Sequence, residues 1–417
     1  MKCLISKIDI MSNDEYGQKM LLKKDVGYIV ADVYVDVMIR DLGESKIKSA
    51  EEFEPAHFYA GEDLNGKKLV VFRNGGIGDL LFISASLKKL KEKYPDASIT
   101  LITNGYYAKL LKCDTSYEMG TFPLLEEKVQ EFDYCLYFQS LIESNPSAEH
   151  ENAYDLFAKA CHLDPSVDYK PAVNINTFDL DRAKVAKLSA IEFYQQNVEF
   201  VPDQDIIHVC IQIAASVTKR SIPLPVYVNL MNALPKNYVF WFFGSENQNG
   251  MINDLIQNVP QAAGRIFNGS ETMPTLTQMA AFLSIADLVI GPDSSLLHIA
   301  GALDTPLIGL YGPFPSALRI ATYKNAVGID SNSNCEFARG EFASCFSHGN
   351  GGCELSKKIL SGLSPCMELI HSHHILDAMN RLGFTTEYAP VEPKLPEASA
   401  EPEVLVTPDV VVETVPV

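Results

Sequence analysis

At 417 residues, with 47% hydrophobic and 10% aromatic side chains, the chain has material for two domains with full cores and is no disordered polymer. Its formal net charge of −19 disfavours nonspecific attraction to nucleic acid or anionic lipid, so no nucleic-acid partner is expected. No apolar run approaches the roughly 18 residues that span a bilayer, and charges break Met1 to Asp9 as a signal-peptide core. The chain therefore reads as cytoplasmic, with at most peripheral membrane contact and mostly reduced cysteines.

In chain order, Tyr28 to Met38 alternates and is rich in β-branched residues, and Glu44 to Glu54 is charged and poor in apolar ones. Residues 1–66 read as a small β-rich appendage and a linker. From Lys67 strands and helices alternate: Leu69–Phe72, a helix to Lys93, Ser98–Thr103, a helix at Tyr106–Leu111, Tyr134–Phe138, and a helix at Ala153–Cys161. This is the signal of a parallel sheet covered by helices over residues 67–197, closed by an amphipathic stretch from Leu180 to Gln196 that bridges to the next half. A second alternating series occupies residues 198–384: His208–Ile213, a helix near Val226–Leu234, Tyr238–Gly244, helices near Met251–Val259 and Thr275–Ala286, Leu288–Gly291, a helix to Leu303, and Leu307–Tyr311. Residues 385–417 hold six prolines, seven acidic residues and one lysine, and read as a disordered acidic tail. The expected fold is α/β, with two Rossmann-like doubly wound domains facing across a cleft.

Two Gly-rich turns carry the chemistry, Arg73-Asn-Gly-Gly-Ile-Gly-Asp79 and Gly291-Pro-Asp-Ser-Ser-Leu-Leu-His298, and each joins an apolar strand to a helix. Strand, tight turn and helix N-terminus together make an anion site, because unpaired N–H groups and the helix dipole point outward there. In the first turn, Gly75, Gly76 and Gly78 shape the loop, but Asp79 puts a carboxylate where a dinucleotide fold wants its pyrophosphate. Such a carboxylate suits a general base; the alternative is a helix-capping Asp.

These stretches resemble glycosyltransferase family nine, the ADP-heptose:lipopolysaccharide heptosyltransferases of GT-B fold. The likeness lies in Lys68–Pro95 and in Ala286–Arg319 with its Tyr311-Gly-Pro313, and covers roughly residues 67–383. It implies an inverting, metal-independent transfer from a nucleotide diphosphate sugar, foremost an ADP-sugar, to a glycan or lipid-linked glycan acceptor, with no cofactor. The donor would sit in the C-terminal domain and the acceptor against the N-terminal one. Asp79 matches the family's general base, while Lys219 and Arg220, in Ala214 to Pro223, resemble its Lys-Arg-Trp-Pro segment and would meet the diphosphate charge that grows on leaving. Ser221-Ile222 departs from that pattern, and without the likeness the Lys-Arg pair reads equally as a solvated loop.

In the second turn, the N–H groups and hydroxyls of Ser294, Ser295 and Leu296 are placed for a diphosphate, and Asp293 caps the helix or holds a donor hydroxyl. Ser295 stands where the family more often has Gly, which narrows backbone approach. His298 is either a donor contact or a helix-packing histidine. Gly244, in Gly-Ser-Glu246, resembles the turn near the donor nucleotide, and Met273 to Gln278 reads as a nucleotide-edge segment or a Thr-capped helix start.

Cys335, Cys345, Cys353 and Cys366, with His348 among them, lie within 32 residues but lack a Cys-x-x-Cys knuckle. Separate buried thiols are expected, with a structural zinc as the alternative. Two further functions stay open: a transferase of the same fold using another nucleotide sugar and a non-lipopolysaccharide acceptor, and a noncatalytic binding protein that uses the appendage for assembly.

Overall fold

The computed structural model describes residues 2–331, apart from 14–18, 31–34, 37–39, 41–42, 53–56, 112–114, 140, 143–144, 166–169, 199–204 and 260–263, together with 353 and 363–386. The N-terminal strands β1 (Lys2–Ser6), β4 (Gly27–Val30) and β5 (Ile47–Glu52) pair antiparallel with β1 central, and β2 (Ile10–Asn13) and β3 (Lys19–Leu22) form a separate hairpin. Part of the expected linker is thus a strand. It is an edge strand whose Ile47 is buried and whose Lys48 is exposed.

Three parallel strands and their helices follow: β6 (Lys68–Phe72), α1 (Ile77–Lys93), β7 (Ser98–Thr103), α2 (Gly105–Leu111) and β8 (Glu118–Thr121). After β9 (Leu124–Leu125) comes β10 (Tyr134–Tyr137), which returns to the far side of β6, so the parallel sheet runs β10-β6-β7-β8. Strand periodicity splits its residues between two covers. Leu69, Val71, Leu101 and Leu136 join the large core under the helices, whereas Val70, Phe72, Ile102 and Cys135 pack with Ile29 of β4 and with Val129. The expected second helical layer of this domain is replaced: among the described residues, that face is covered by the N-terminal module and the segment after β8. The two-residue strand β9 pairs with β4 and fuses the module to the sheet.

Helix α3 (Ala153–Ala160) follows β10, and α4 (Thr177–Asn197) leads to the second half. There the strands are β11 (Ile207–Gln212), β12 (Tyr238–Phe243), β13 (Ile266–Asn268), β14 (Leu288–Pro292), β15 (Leu307–Tyr311) and β16 (Ala326–Asp330). All pair in parallel in the order β13-β12-β11-β14-β15-β16, the doubly wound order in which the chain steps outward, returns to the middle and continues on the other side. Every residue of β12, Tyr-Val-Phe-Trp-Phe-Phe, is buried, as a central parallel strand covered on both faces requires.

The longer helices of this half are α5 (Leu224–Ala233), α6 (Asn249–Asn258), α7 (Leu276–Leu283), α8 (Ser295–Ala302) and α9 (Ser372–Arg381). The long α4 packs on α7, and its Tyr194 hydroxyl donates to the Lys236 carbonyl, so it rides on the second sheet. The body extends slightly past the expected start of the tail: the Tyr238 hydroxyl donates to the Thr385 carbonyl, and Thr386 is buried. Residues 387–417, which hold most of the expected tail, lie outside the described residues.

Candidate active site

Each parallel sheet has a point where strand order reverses, and the loops leaving the strand C-termini there form a crevice. In the first sheet the reversal falls between β6 and β10. Arg73, the residue after β6, has no exposure, and its Nη1 donates to the carbonyls of Phe138 and Gln139 beyond β10 at 2.7 and 2.6 Å. Its Nη2 donates to Oδ2 of Asp79 at 2.6 Å. The side-chain amide of Gln139 reciprocates with the backbone N–H and carbonyl of Asn74, closing the two loops on each other.

A buried guanidinium needs such compensation, because an unpaired charge there would be strongly disfavoured. Gly75 makes room for it: a Cβ at that position would lie 2.3 Å from Arg73 Nε. The capping alternative for Asp79 is not what the geometry shows, since Gly76 is the N-cap and the Asp79 carboxylate turns to Arg73 from the first turn of α1. Its side chain keeps 21% exposure, and among the described residues Oδ1 has no hydrogen-bond partner. Gly78 is the contact point with the other half, for its Cβ would fall 2.8 Å from Cδ2 of His298 on α8.

In the second sheet the reversal falls between β11 and β14, and again an arginine joins the two loops. Arg220 ends a 3-10 turn (Thr218–Arg220); its Nη1 donates to Asp293 Oδ2 at 2.5 Å and to the Asp293 carbonyl at 3.1 Å, while Nη2 donates to Ser216 Oγ. Burial alone would raise the Asp293 pKa, but the hydrogen bond with His298 and the charges of Arg220 and Arg319 outweigh it and hold the carboxyl below the usual carboxylate range. Asp293 is therefore an ionised, buried carboxylate. Arg319 lies over the Phe314 ring at 4.8 Å.

Lys219, in the same 3-10 turn, is largely buried. Ser294 is the N-cap of α8 but makes no side-chain cap bond, and its Oγ is buried with no partner among the described residues. Ser295 and Leu296 begin the helix, where backbone N–H groups have no intrahelical acceptor. The unpartnered hydroxyl thus lies at the first turn of α8, next to Asp293, whose carboxylate and carbonyl hold Arg220.

His298 does not face outward. Its Nε2 pairs with Asp293 Oδ1 at 3.1 Å and its Nδ1 with the Tyr323 hydroxyl at 3.0 Å, so both ring nitrogens are engaged inside the protein, as a packing histidine's would be. Gly244 directly follows β12, and its N–H donates to Ser270 Oγ. Thr275 and Gln278 form a capping box, so the segment from Met273 is a capped helix start. Cys335, Cys345 and His348 lie outside the described residues; Cys366 abuts Gly312, and among the described residues no three side chains are grouped to hold a metal.

Sequence reasoning passed over Arg73, Gln139, Tyr154 and Tyr323. An Arg directly after an apolar strand and before Asn-Gly-Gly was the available signal for the first of these, since a cation at a strand end is well placed to hold the neighbouring loop. Nothing local marks the two tyrosines.

Residues 155–343 match the model of glycosyltransferase family 9 (heptosyltransferase). A stretch of 68 residues is 40% identical to the lipopolysaccharide core heptosyltransferase OpsX of Haemophilus influenzae, spanning 15% of this chain and 19% of that protein. The fold is similar to that of a family 9 glycosyltransferase from Veillonella parvula (14% identity, 77% of this chain and 98% of the other, TM-score 0.54) and of the E. coli ADP-heptose lipopolysaccharide heptosyltransferase II (15%, 76% and 98%, TM-score 0.54). It is also similar to that of the iron-containing dodecameric glycosyltransferase TibC from enterotoxigenic E. coli (13%, 80% and 79%, TM-score 0.51). An α/β fold with parallel sheets like that of the family 9 heptosyltransferases thus carries, across its second sheet, the sequence signature of glycosyltransferase family 9.

Proposed function

We propose that the chain is an inverting glycosyltransferase that moves a sugar, of the heptose type, from a nucleoside diphosphate sugar to a glycan acceptor. The observation that supports this is the pair of switch points: one offers a carboxylate steadied by a buried arginine, the other brings Arg220 and Asp293 to the first turn of α8 beside an unpartnered hydroxyl, which we read as an anion site. In this reading the acceptor hydroxyl gives its proton to Asp79 as its oxygen bonds to the anomeric carbon. The bond from that carbon to the phosphate oxygen breaks, its electron pair leaves with the diphosphate, and the carbon inverts.

Lys219, Arg220 and the N–H groups of Ser295 and Leu296 meet the growing phosphate charge. An ADP-sugar is the first donor to test, in line with the name of the E. coli neighbour. The acceptor is a lipid-linked glycan reached from the cytoplasm by peripheral contact; among the described residues no helix is long and apolar enough to cross a membrane.

Incubating the protein with ADP-, UDP-, GDP- and CDP-sugars while following melting temperature should single out one donor base, since ligand binding raises native stability by mass action. Proton NMR of the transferred sugar should then show inversion. A panel without any shift, or donor that is never turned over, would point instead to the noncatalytic binding reading. An acceptor other than a lipopolysaccharide core is favoured by one observation, the N-terminal module fused to the acceptor-side sheet. An acceptor panel that includes polypeptide as well as glycan decides between them.

A further inference from the structure

A buried polar chain crosses from the second half of the molecule to the first. Asp293 Oδ1 meets His298 Nε2 at 3.1 Å, His298 Nδ1 meets the Tyr323 hydroxyl at 3.0 Å, and the Tyr323 hydroxyl meets that of Tyr154 on α3 at 3.5 Å. The ionised Asp293 takes a hydrogen from Nε2 of His298, and at the far end the Tyr154 hydroxyl donates to that of Tyr323.

Packing alone does not call for these hydroxyls. The Tyr323 ring already wedges against Gly301, where a Cβ would come within 2.4 Å of Cδ2, and two phenylalanines would fill the same space, at the cost of the partner of His298 Nδ1. What hydroxyls add over apolar rings is direction, and so a fixed register between the halves.

The same histidine touches the helix that bears Asp79. Gly78 lies against its ring, and Phe82 of α1 meets it edge-on at 5.2 Å while packing on Tyr154 at 4.5 Å. The loop that holds Asp293 and the helix that holds Asp79 are therefore indexed to one imidazole, which Tyr323 and Tyr154 hold in place.

We infer that Tyr323 and Tyr154 are positioning residues: through His298 they set where the Asp293 loop stands relative to the Asp79 helix. They thereby fix the geometry of attack rather than the affinity for donor. This rests on the transferase reading given above.

The test is Tyr323→Phe, Tyr154→Phe and the double variant, each assayed with the preferred donor. Transfer kcat should fall about 10- to 100-fold, as small misplacements do. Donor KM should stay within about twofold; Tyr323→Phe should lower the melting temperature modestly, because buried Nδ1 of His298 loses its partner, and Tyr154→Phe should leave it close to that of the wild type. The double variant should lose no more than the worse single one, because both remove links of one chain. Unchanged kcat, additive losses, or a loss that appears in donor KM would overturn the inference.

If the wild-type protein transfers nothing from any nucleotide sugar, the transferase reading fails, and hydrogen exchange judges the chain separately. Tyr323→Phe should then speed amide exchange in residues 77–83 and 294–299 together. Unchanged protection at 77–83 would overturn it.

Discussion

Arg73 grips Asp79 from a position with no solvent exposure, its Nη2 2.6 Å from Oδ2, while its other terminal nitrogen holds the Phe138 and Gln139 carbonyls. One side chain thereby ties the turn after β6 to the strand end after β10 and aims the carboxylate. A lysine has no planar fork to reach all these oxygens at once. Arg73→Lys should therefore fold, lose transfer by more than tenfold, and leave donor affinity intact, measured by steady-state kinetics and donor titration. Arg73→Met removes one donor from the Phe138 carbonyl, which keeps the Leu141 N–H, takes the donor from the half-buried Gln139 carbonyl and leaves Asp79 without its cation, and should cost about 1–3 kcal/mol in denaturant unfolding.

Asp293 makes the acid limb of stability predictable. Its folded pKa is held below the reference 3.8, so its contribution is complete above that unfolded value and is lost as pH falls through the folded one. Between pH 5 and the acid transition, the wild-type unfolding free energy should decline more steeply than that of Asp293→Asn. Parallel curves for the two proteins would assign the stabilisation elsewhere.

Lys219→Ala should reduce donor turnover on the order of 10²-fold, the usual loss when a group that meets developing charge is removed. Lys219→Arg should restore part of it. Unchanged kinetics would move the phosphate cation to Arg220 or Arg319. Because these side chains and the first turn of α8 carry the charge in the proposed reaction, transfer should also survive excess chelator; loss on chelation and return with one added metal would give a metal that task.

Truncation should separate body from tail. Removing residues 388–417 should leave the melting temperature nearly unchanged, because their proline- and acid-rich composition offers little to bury. Removing residues 384–417 should lower it, since the Thr385 carbonyl takes the Tyr238 hydroxyl and Thr386 is buried.

The parts of this molecule that were legible in its sequence are those written in local pattern. Apolar runs placed β6, β11, β12 and β14, and with them the loops of Asp79, Arg220 and Asp293. The face of β6 that carries Val70 and Phe72 was not legible, because a continuous apolar run shows that a strand is covered on both sides without saying by what; here Ile29, far away in sequence, covers it. Glu44 to Glu54 misled for a related reason, as an edge strand needs apolar residues on only one side. Tyr154 and Tyr323 meet 169 residues apart, and no spacing rule reaches that far. His298 had two readings in sequence, and its position gave no sign of its partners, Asp293 and Tyr323.

The most direct test of the account is transfer by Asp79→Asn, which keeps the size of the side chain and an acceptor for Arg73 while removing the basic oxygen. Donor binding and melting temperature should hold, and transfer kcat should fall by roughly 10² to 10⁴-fold, with donor KM little changed. An Asp79→Asn protein that transfers sugar at nearly the wild-type rate would show that Asp79 only fastens Arg73, and that the proton goes to another group.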